Sequence, residues 1–165
     1  MRKPLIGVMC PGDSAPDSAV TTAYELGKII AQEEWVVLSG GRNKGAMNAV
    51  NKGAKEAKGL TVGISPTDNT ETLSEFVDIP IVSGMGSARN NIIVLSSDVI
   101  IVIADGLGAG TASEAALALK AQKQIILLNA NDITIAFFQE LGKEFVMCVN
   151  TPKEAIDMVK TFLYH

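Results

Sequence analysis

The chain holds 165 residues, with 47% hydrophobic and 5% aromatic side chains and a formal net charge of −4. That is enough chain for a sizeable core and too much apolar content for a disordered protein. The acidic balance and the scarcity of aromatic stacking platforms make nucleic acid an unexpected partner, and no run approaches the ~18 apolar residues of a membrane span.

Residues 1–4 lead directly into a first strand at 5–9, LIGVM. This apolar run is too short for the core of a secretion signal, so a cytoplasmic protein is expected. In the following loop, 10–16, Asp13 or Ser14 is placed to cap the next helix, with Pro16 in its first turn. That helix is expected over 17–33, where Val20, Ala23, Tyr24, Gly27, Ile30 and Ala31 recur on one face. A strand at 36–38, a glycine loop at 39–45 (SGGRNKG), a helix at 46–57 and a strand at 60–64 follow. Residues 66–75 are polar and irregular, the one segment expected to move. A strand at 76–82 contains Pro80, which suits an edge or a strand end. A third glycine loop, 83–87, precedes a helix at 88–96.

The stretch 98–120, DVIIVIADGLGAGTASEAALALK, organises the rest. Its strand, 99–103, is apolar at every position, so it is expected to be covered on both faces, as in a parallel sheet. A glycine-rich turn, 105–110, leads into Ala- and Leu-rich helix. Strand, glycine turn and helix start together form a layout that holds an anion against backbone N–H groups. Beyond it lie a strand at 124–128, a helix at 132–141, a strand at 145–149 and a last helix from Pro152 to about residue 163, with Thr151 as its cap.

Strands and helices alternate from end to end, which predicts an α/β chain of one domain over 1–165, a Rossmann-like three-layer sandwich with a mostly parallel sheet. Right-handed crossovers then gather the loops around 10–16, 39–45, 83–88 and 104–111 at the carboxyl edge of the sheet, where a ligand is expected. The two cysteines, Cys10 and Cys148, have no metal-ligand spacing and read as small buried hydrophobes in a reducing compartment. No metal site is expected. His165, the only histidine, is the last residue, which leaves no Ser-His-Asp arrangement. Neither a Walker loop nor GxGxxG is present.

Among the loop residues, Thr111 and Glu114 have the spacing of a capping box, Thr-x-x-Glu, which spacing alone favours over a catalytic role for Glu114, although a carboxylate there can serve both. Arg89 opens a helix, where the dipole disfavours a bare cation, so it reads either as an ordinary surface arginine or as one with an anionic partner, a phosphate or Glu114 itself. Asn90 can hydrogen-bond in the same turn. Arg42, Asn43 and Lys44 read by default as a solvated loop, with a phosphate contact from Lys44 or a backbone N–H as the sharper alternative. Asp105 can bind a ribose hydroxyl or shape its turn, and Ser14 can touch a ligand.

Three segments together resemble the Lonely Guy (LOG) family, also known as lysine-decarboxylase-like proteins. Gly108-Ala109-Gly110-Thr111-Ala112-Ser113-Glu114 is similar to the GxGTxxE part of its PGGxGTxxE signature. Gly40-Gly41 through Gly45-Ala46-Met47 and Ala49-Val50 resembles its second loop, and Arg89 stands nine residues before Asp98, as the family arginine does before its aspartate. The resemblance spans about residues 5–128. Ala88-Arg89-Asn90 after a Gly-x-Gly loop is closest to the branch of molybdenum-cofactor carrier proteins. Leu107 replaces a family glycine, the Pro-Gly start is absent, and the interval from strand to threonine is two residues longer.

The resemblance implies a phosphorylated small-molecule partner, an AMP-like nucleotide or a molybdopterin-type ligand, with no cofactor required. It implies phosphate or ligand contacts at Gly12, Ser14, Gly40, Gly41, Gly45, Met47, Asn90, Gly108, Ala109, Gly110 and Thr111. In the family's hydrolases, which split a nucleoside 5′-monophosphate into free base and ribose 5-phosphate, the catalytic pair corresponds to Arg89 and Glu114. A carrier-like binder, such a hydrolase and a DNA-processing Rossmann domain are the three readings, in that order. Family relatives also imply a homodimer or higher homo-oligomer.

Overall fold

The computed structural model describes residues 2–164, so the expectation for His165 lies outside the described residues. Seven strands form one sheet: β1 Leu5–Met9, β2 Val36–Ser39, β3 Leu60–Ser65, β4 Ile79–Val82, β5 Val99–Ile103, β6 Ile125–Leu128 and β7 Val146–Val149. Their order is β4-β3-β2-β1-β5-β6-β7, and every pairing between them is parallel. Five α-helices lie between strands, α1 Asp17–Gln32, α2 Gly45–Glu56, α3 Arg89–Ser96, α4 Ala109–Lys120 and α5 Asp132–Gly142, and α6 Pro152–Tyr164 follows β7. None is long and apolar enough to cross a membrane.

The sheet carries a core on each face. Ile6, Val8, Val37, Ile101 and Ile103 pack with Leu26, Val50 and Ile156 beneath α1, α2 and α6. Leu38, Ile64, Ile100 and Val102 pack with Ile93, Ala115 and Phe138 beneath α3, α4 and α5. The unbroken apolar run of β5 follows from this: alternate side chains enter opposite cores, and all five are buried. The result is the three-layer Rossmann-like sandwich.

The chain runs outward from β1 to β4 and then returns to place β5 on the other side of β1. Loops leaving β1 and β5 therefore diverge, opening a crevice at their carboxyl ends, the switch point where such sheets bind ligands. Helices α1 and α2 pack with their backbones in close approach. A Cβ on Gly27 would fall on the Val50 carbonyl oxygen, and one on Gly53 would fall on the Tyr24 carbonyl oxygen.

Several local expectations change. The strand expected at 76–82 is paired only over Ile79–Val82, with Pro80 on the edge strand as anticipated. The Asp78 carboxylate ahead of it accepts from Thr61 N at 3.1 Å, occupying a donor that a longer strand would use. Neither Asp13 nor Ser14 caps α1; Pro16 is its N-cap and no side chain caps it. The polar segment 66–75 is tied to the second glycine loop, with Ser74 N donating to Gly41 O at 2.8 Å and Asn43 N donating to Thr72 O at 2.9 Å. Cys148 is exposed rather than buried, because β7 is an edge strand, while Cys10 is buried at the end of β1.

The expected capping box at Thr111 and Glu114 is also absent. Helix α4 begins earlier, at Ala109, with Gly108 as its N-cap, so Thr111 lies inside the first turn and Glu114 in the second. The same four-residue spacing forms a true box at the last helix. There Glu154 N donates to Thr151 Oγ1 at 3.2 Å, and Glu154 Oε2 accepts from Thr151 N at 3.2 Å and Asn150 N at 2.8 Å. Pro152, fixed at the first helical position, sets that start; glycines leave the other start free to move upstream.

Candidate functional site

A pocket of about 470 Å³ lies at the carboxyl edge of the sheet, over the crevice between β1 and β5. Segments from all four expected loops meet in it. Gly12 and Ser14 come from the loop after β1, Arg42 from the loop after β2, and Met47 from the first turn of α2. Arg89 and Asn90 start α3, while Gly108, Ala109, Gly110, Thr111 and Glu114 run from the β5–α4 turn into α4.

The start of α4 supplies the anion-binding geometry. No side chain caps α4 at Gly108, whose carbonyl accepts from Ala112 N at 2.9 Å. A Cβ added at Gly108 or Gly110 would meet no atom within 4 Å. The first N–H groups of α4 are thus bordered by open space on the pocket side, and the helix dipole favours negative charge there.

Arg89 lies across the pocket and is only 7% exposed. Its Nη1 donates to the Ile64 carbonyl at 2.7 Å, while its Nε is buried with no partner. Gly40 makes this placement possible: a Cβ there would stand 2.8 Å from Nη2. Burial pulls the Arg89 guanidinium below its usual range; Glu114 opposes that shift and Arg42 adds to it.

Glu114 is 8% exposed and lines the pocket, and its charge partly opposes the effect of burial on Arg89. No ion pair within 4.0 Å joins the two among the described residues. Burial pushes the Glu114 carboxyl from 4.5 up to about 7, with Arg89 pulling it back only in part. No hydrogen bond contributes to that shift. At neutral pH the group is therefore divided between acid and carboxylate, the condition for proton exchange in a site.

The other expected residues divide into rim, floor and scaffold. Asp13 on the rim bridges Lys44 at 3.3 Å and Arg42 at 3.8 Å, pairs exposed enough to contribute little stability. Asn90 Nδ2 donates to Ser113 Oγ at 3.4 Å, and Ser113 Oγ donates to Gly110 O at 2.6 Å, which ties α3 to the first turn of α4. Asp105 accepts from Ser18 Oγ and stands outside the pocket lining. Asp98 is at the opposite end of β5, where it accepts from Leu5 N at 2.9 Å and pairs with Arg2.

Gly40, Gly41 and Gly45, expected as ligand contacts, do not line the pocket. They shape its wall. Gly41 has φ +68° with its Cα side against Gly63, and Gly45 has φ +46° with its Cβ position filled by Gly12 O. Only glycine fits those backbones without strain. Seven lining residues were not among the expected contacts: Cys10, Pro11, Asp13, Arg42, Pro66, Gly86 and Ser87. Gly86 carried a signal, since the third glycine loop was placed on this edge, and it has φ +56° with open space at its Cβ. Pro66 had none, because its approach depends on where β3 ends.

The family model described as the SLOG cluster4 family matches residues 3–156. An uncharacterized protein of Archaeoglobus fulgidus is 37% identical over 157 residues, covering 95% of each chain. The structure resembles that of the molybdenum cofactor binding protein from the phototrophic bacterium Rippkaea orientalis, with 50% identity, TM-score 0.95 and 99% of each chain covered. It also resembles the molybdenum cofactor carrier protein of Chlamydomonas reinhardtii, with 45% identity, TM-score 0.92, and 99% of this chain and 100% of that one covered.

Proposed function

This chain belongs to the SLOG cluster4 family, within the LOG-like, lysine-decarboxylase-like superfamily, and we propose that it binds a phosphorylated, nucleotide-like small molecule of the molybdopterin type at the carboxyl edge of its sheet. The bare start of α4 carries this reading: Gly108 and Gly110 leave its first amides open to the pocket. The two relatives named for molybdenum cofactor binding and carriage align over 99% of this chain, which supports the ligand class. The residues present fit such a ligand. A phosphate accepts from the amides of Ala109, Gly110 and Thr111, the buried Arg89 supplies positive charge opposite, and Met47 offers an apolar thioether surface to a flat ring. Arg42 on the rim is half-occupied by Asp13 and remains available to a second anionic group. A homo-oligomer fits this reading, and the exposed side chains of Ile79, Ile81 and Leu95 offer an uncovered apolar surface for it.

Gly110→Ala tests the α4 contact. The backbone there tolerates a side chain and nothing stands within 4 Å of the new Cβ, so thermal stability should hold or rise by up to about 1 kcal/mol. The methyl group occupies the approach of a phosphate, so affinity for AMP or the native ligand should fall at least about tenfold, roughly 1.4 kcal/mol. Calorimetric titration and thermal unfolding of the same sample check both halves. Unchanged affinity would remove the α4 start from the site.

One observation favours hydrolysis as a second reading: Arg89 and Glu114 both line the pocket, as a phosphoribohydrolase needs. Cleavage of the N-glycosidic bond builds positive charge on the ribose ring, which an ionised Glu114 would stabilise while Arg89 holds the substrate. Under this reading, incubation with AMP releases adenine and ribose 5-phosphate, detectable by chromatography, and Glu114→Gln abolishes the release. Under the carrier reading AMP stays intact, and mass spectrometry of the natively purified protein finds a pterin-containing ligand.

A further inference from the structure

Glu114 is a misfit in an anion site. It is buried, it has no hydrogen-bonding partner, and it lines the same pocket as the open start of α4. A carboxylate there repels the charge that the amides attract. The charged and titratable groups around it do not cancel this repulsion. Arg89 on α3 offsets it only in part, its Nη1 donating to the Ile64 carbonyl, and Arg42 stands on the rim 3.8 Å from Asp13. Cys10, at the end of β1, is a buried thiol whose proton is held more tightly because of burial and of Glu114.

Resting on the phosphate-binding reading above, we propose that Glu114 selects the ligand as a neutral carboxylic acid: the anion enters together with one solvent proton, which settles on Glu114 and is donated in a hydrogen bond to the bound ligand. The balance is simple. Free protein with ionised Glu114, one proton and the anion give a complex in which Glu114 is protonated and no covalent bond has changed. The carboxyl is poised for this, since its burial already holds it between its two forms near neutral pH. Coupling is reciprocal: the anion tightens the proton, and the proton tightens the anion. A neutral Glu114 also cannot stabilise a positively charged ribose ring, so the loaded pocket holds a glycosidic bond intact. Proton uptake thus separates carriage from cleavage.

The experiment measures sulfate, which does not titrate near neutral pH, and AMP binding by calorimetry from pH 6 to pH 8 in buffers of differing ionisation enthalpy. Sulfate affinity of the native protein should weaken roughly tenfold across that range, with close to one proton taken up per anion at pH 8. Glu114→Gln, which carries an N–H donor at every pH, should bind both anions with a flat profile for sulfate and no proton uptake. Infrared difference spectra of the native protein at pH 8 should show a protonated carboxyl band on adding sulfate, a readout that does not depend on the variant folding. A flat native sulfate profile, absence of that band, or the same pH dependence in Glu114→Gln would overturn the proton coupling while leaving the anion site in place. No binding of either anion at any pH would overturn the anion site and this proposal with it.

Discussion

Glu114→Gln is expected to stabilise the unliganded protein by about 3 kcal/mol at pH 8 and to leave it nearly unchanged at pH 4.5. The sign follows from which state holds the proton. In the unfolded chain the carboxyl titrates near 4.5, in the folded protein at about 7. Between those values the folded state binds more protons than the unfolded state, so stability falls as pH rises and levels off above 7. The native protein is therefore most favoured by this group below pH 4.5 and loses that contribution by pH 8. Glutamine has no such titration. Urea unfolding of both proteins at several pH values measures the effect, and parallel stability profiles would show that Glu114 is not desolvated in the folded state. The gain in the variant is the expected signature of a functional group, retained at a cost to stability.

Gly53→Ala is expected to lower stability by about 3 kcal/mol, although the same change in an open helix gains up to about 1 kcal/mol. The new Cβ would fall on the Tyr24 carbonyl oxygen, a backbone atom that no side-chain rotation can clear. Helices α1 and α2 must then separate, and α2 carries Met47 at the pocket and Ala46, whose N–H reaches Pro11 O at 3.2 Å. A drop in the thermal midpoint of roughly 5–10 °C should result. Gly27→Ala, facing the Val50 carbonyl, should behave alike, and Gly110→Ala provides the contrast because its Cβ meets nothing. A midpoint at or above that of the native protein would mean the helices do not pack through these glycines.

How much of this was legible in residue order depends on the range of the interaction involved. The doubly covered β5 was readable because burial on both faces leaves no polar position in five residues. The convergence of four loops on one edge followed from alternation and crossover handedness alone. The final helix start was readable because Thr151-Pro152-Lys153-Glu154 contains a proline that can occupy only the first turn. At Thr111 the same spacing misled, because the cap was decided by Gly108 and by a turn whose path depends on Pro16 packing where a Gly106 side chain would lie. Cys148 misled for a similar reason: an apolar strand looks the same at the centre of a sheet and at its edge.

By itself the sequence determined the α/β alternation, the parallel sheet and the edge on which the loops would meet, since these rest on local periodicity and a short list of handedness rules; the family was visible through the resemblance of its loop motifs. Only the tertiary structure decided what each loop residue does there. It set Gly40 beside the Arg89 guanidinium and Gly45 beside the Gly12 carbonyl, and it freed Glu114 from a cap to leave it buried and near its own midpoint of titration. Those outcomes depend on desolvation and close approach between segments up to about a hundred residues apart, and neither quantity exists until the chain is folded.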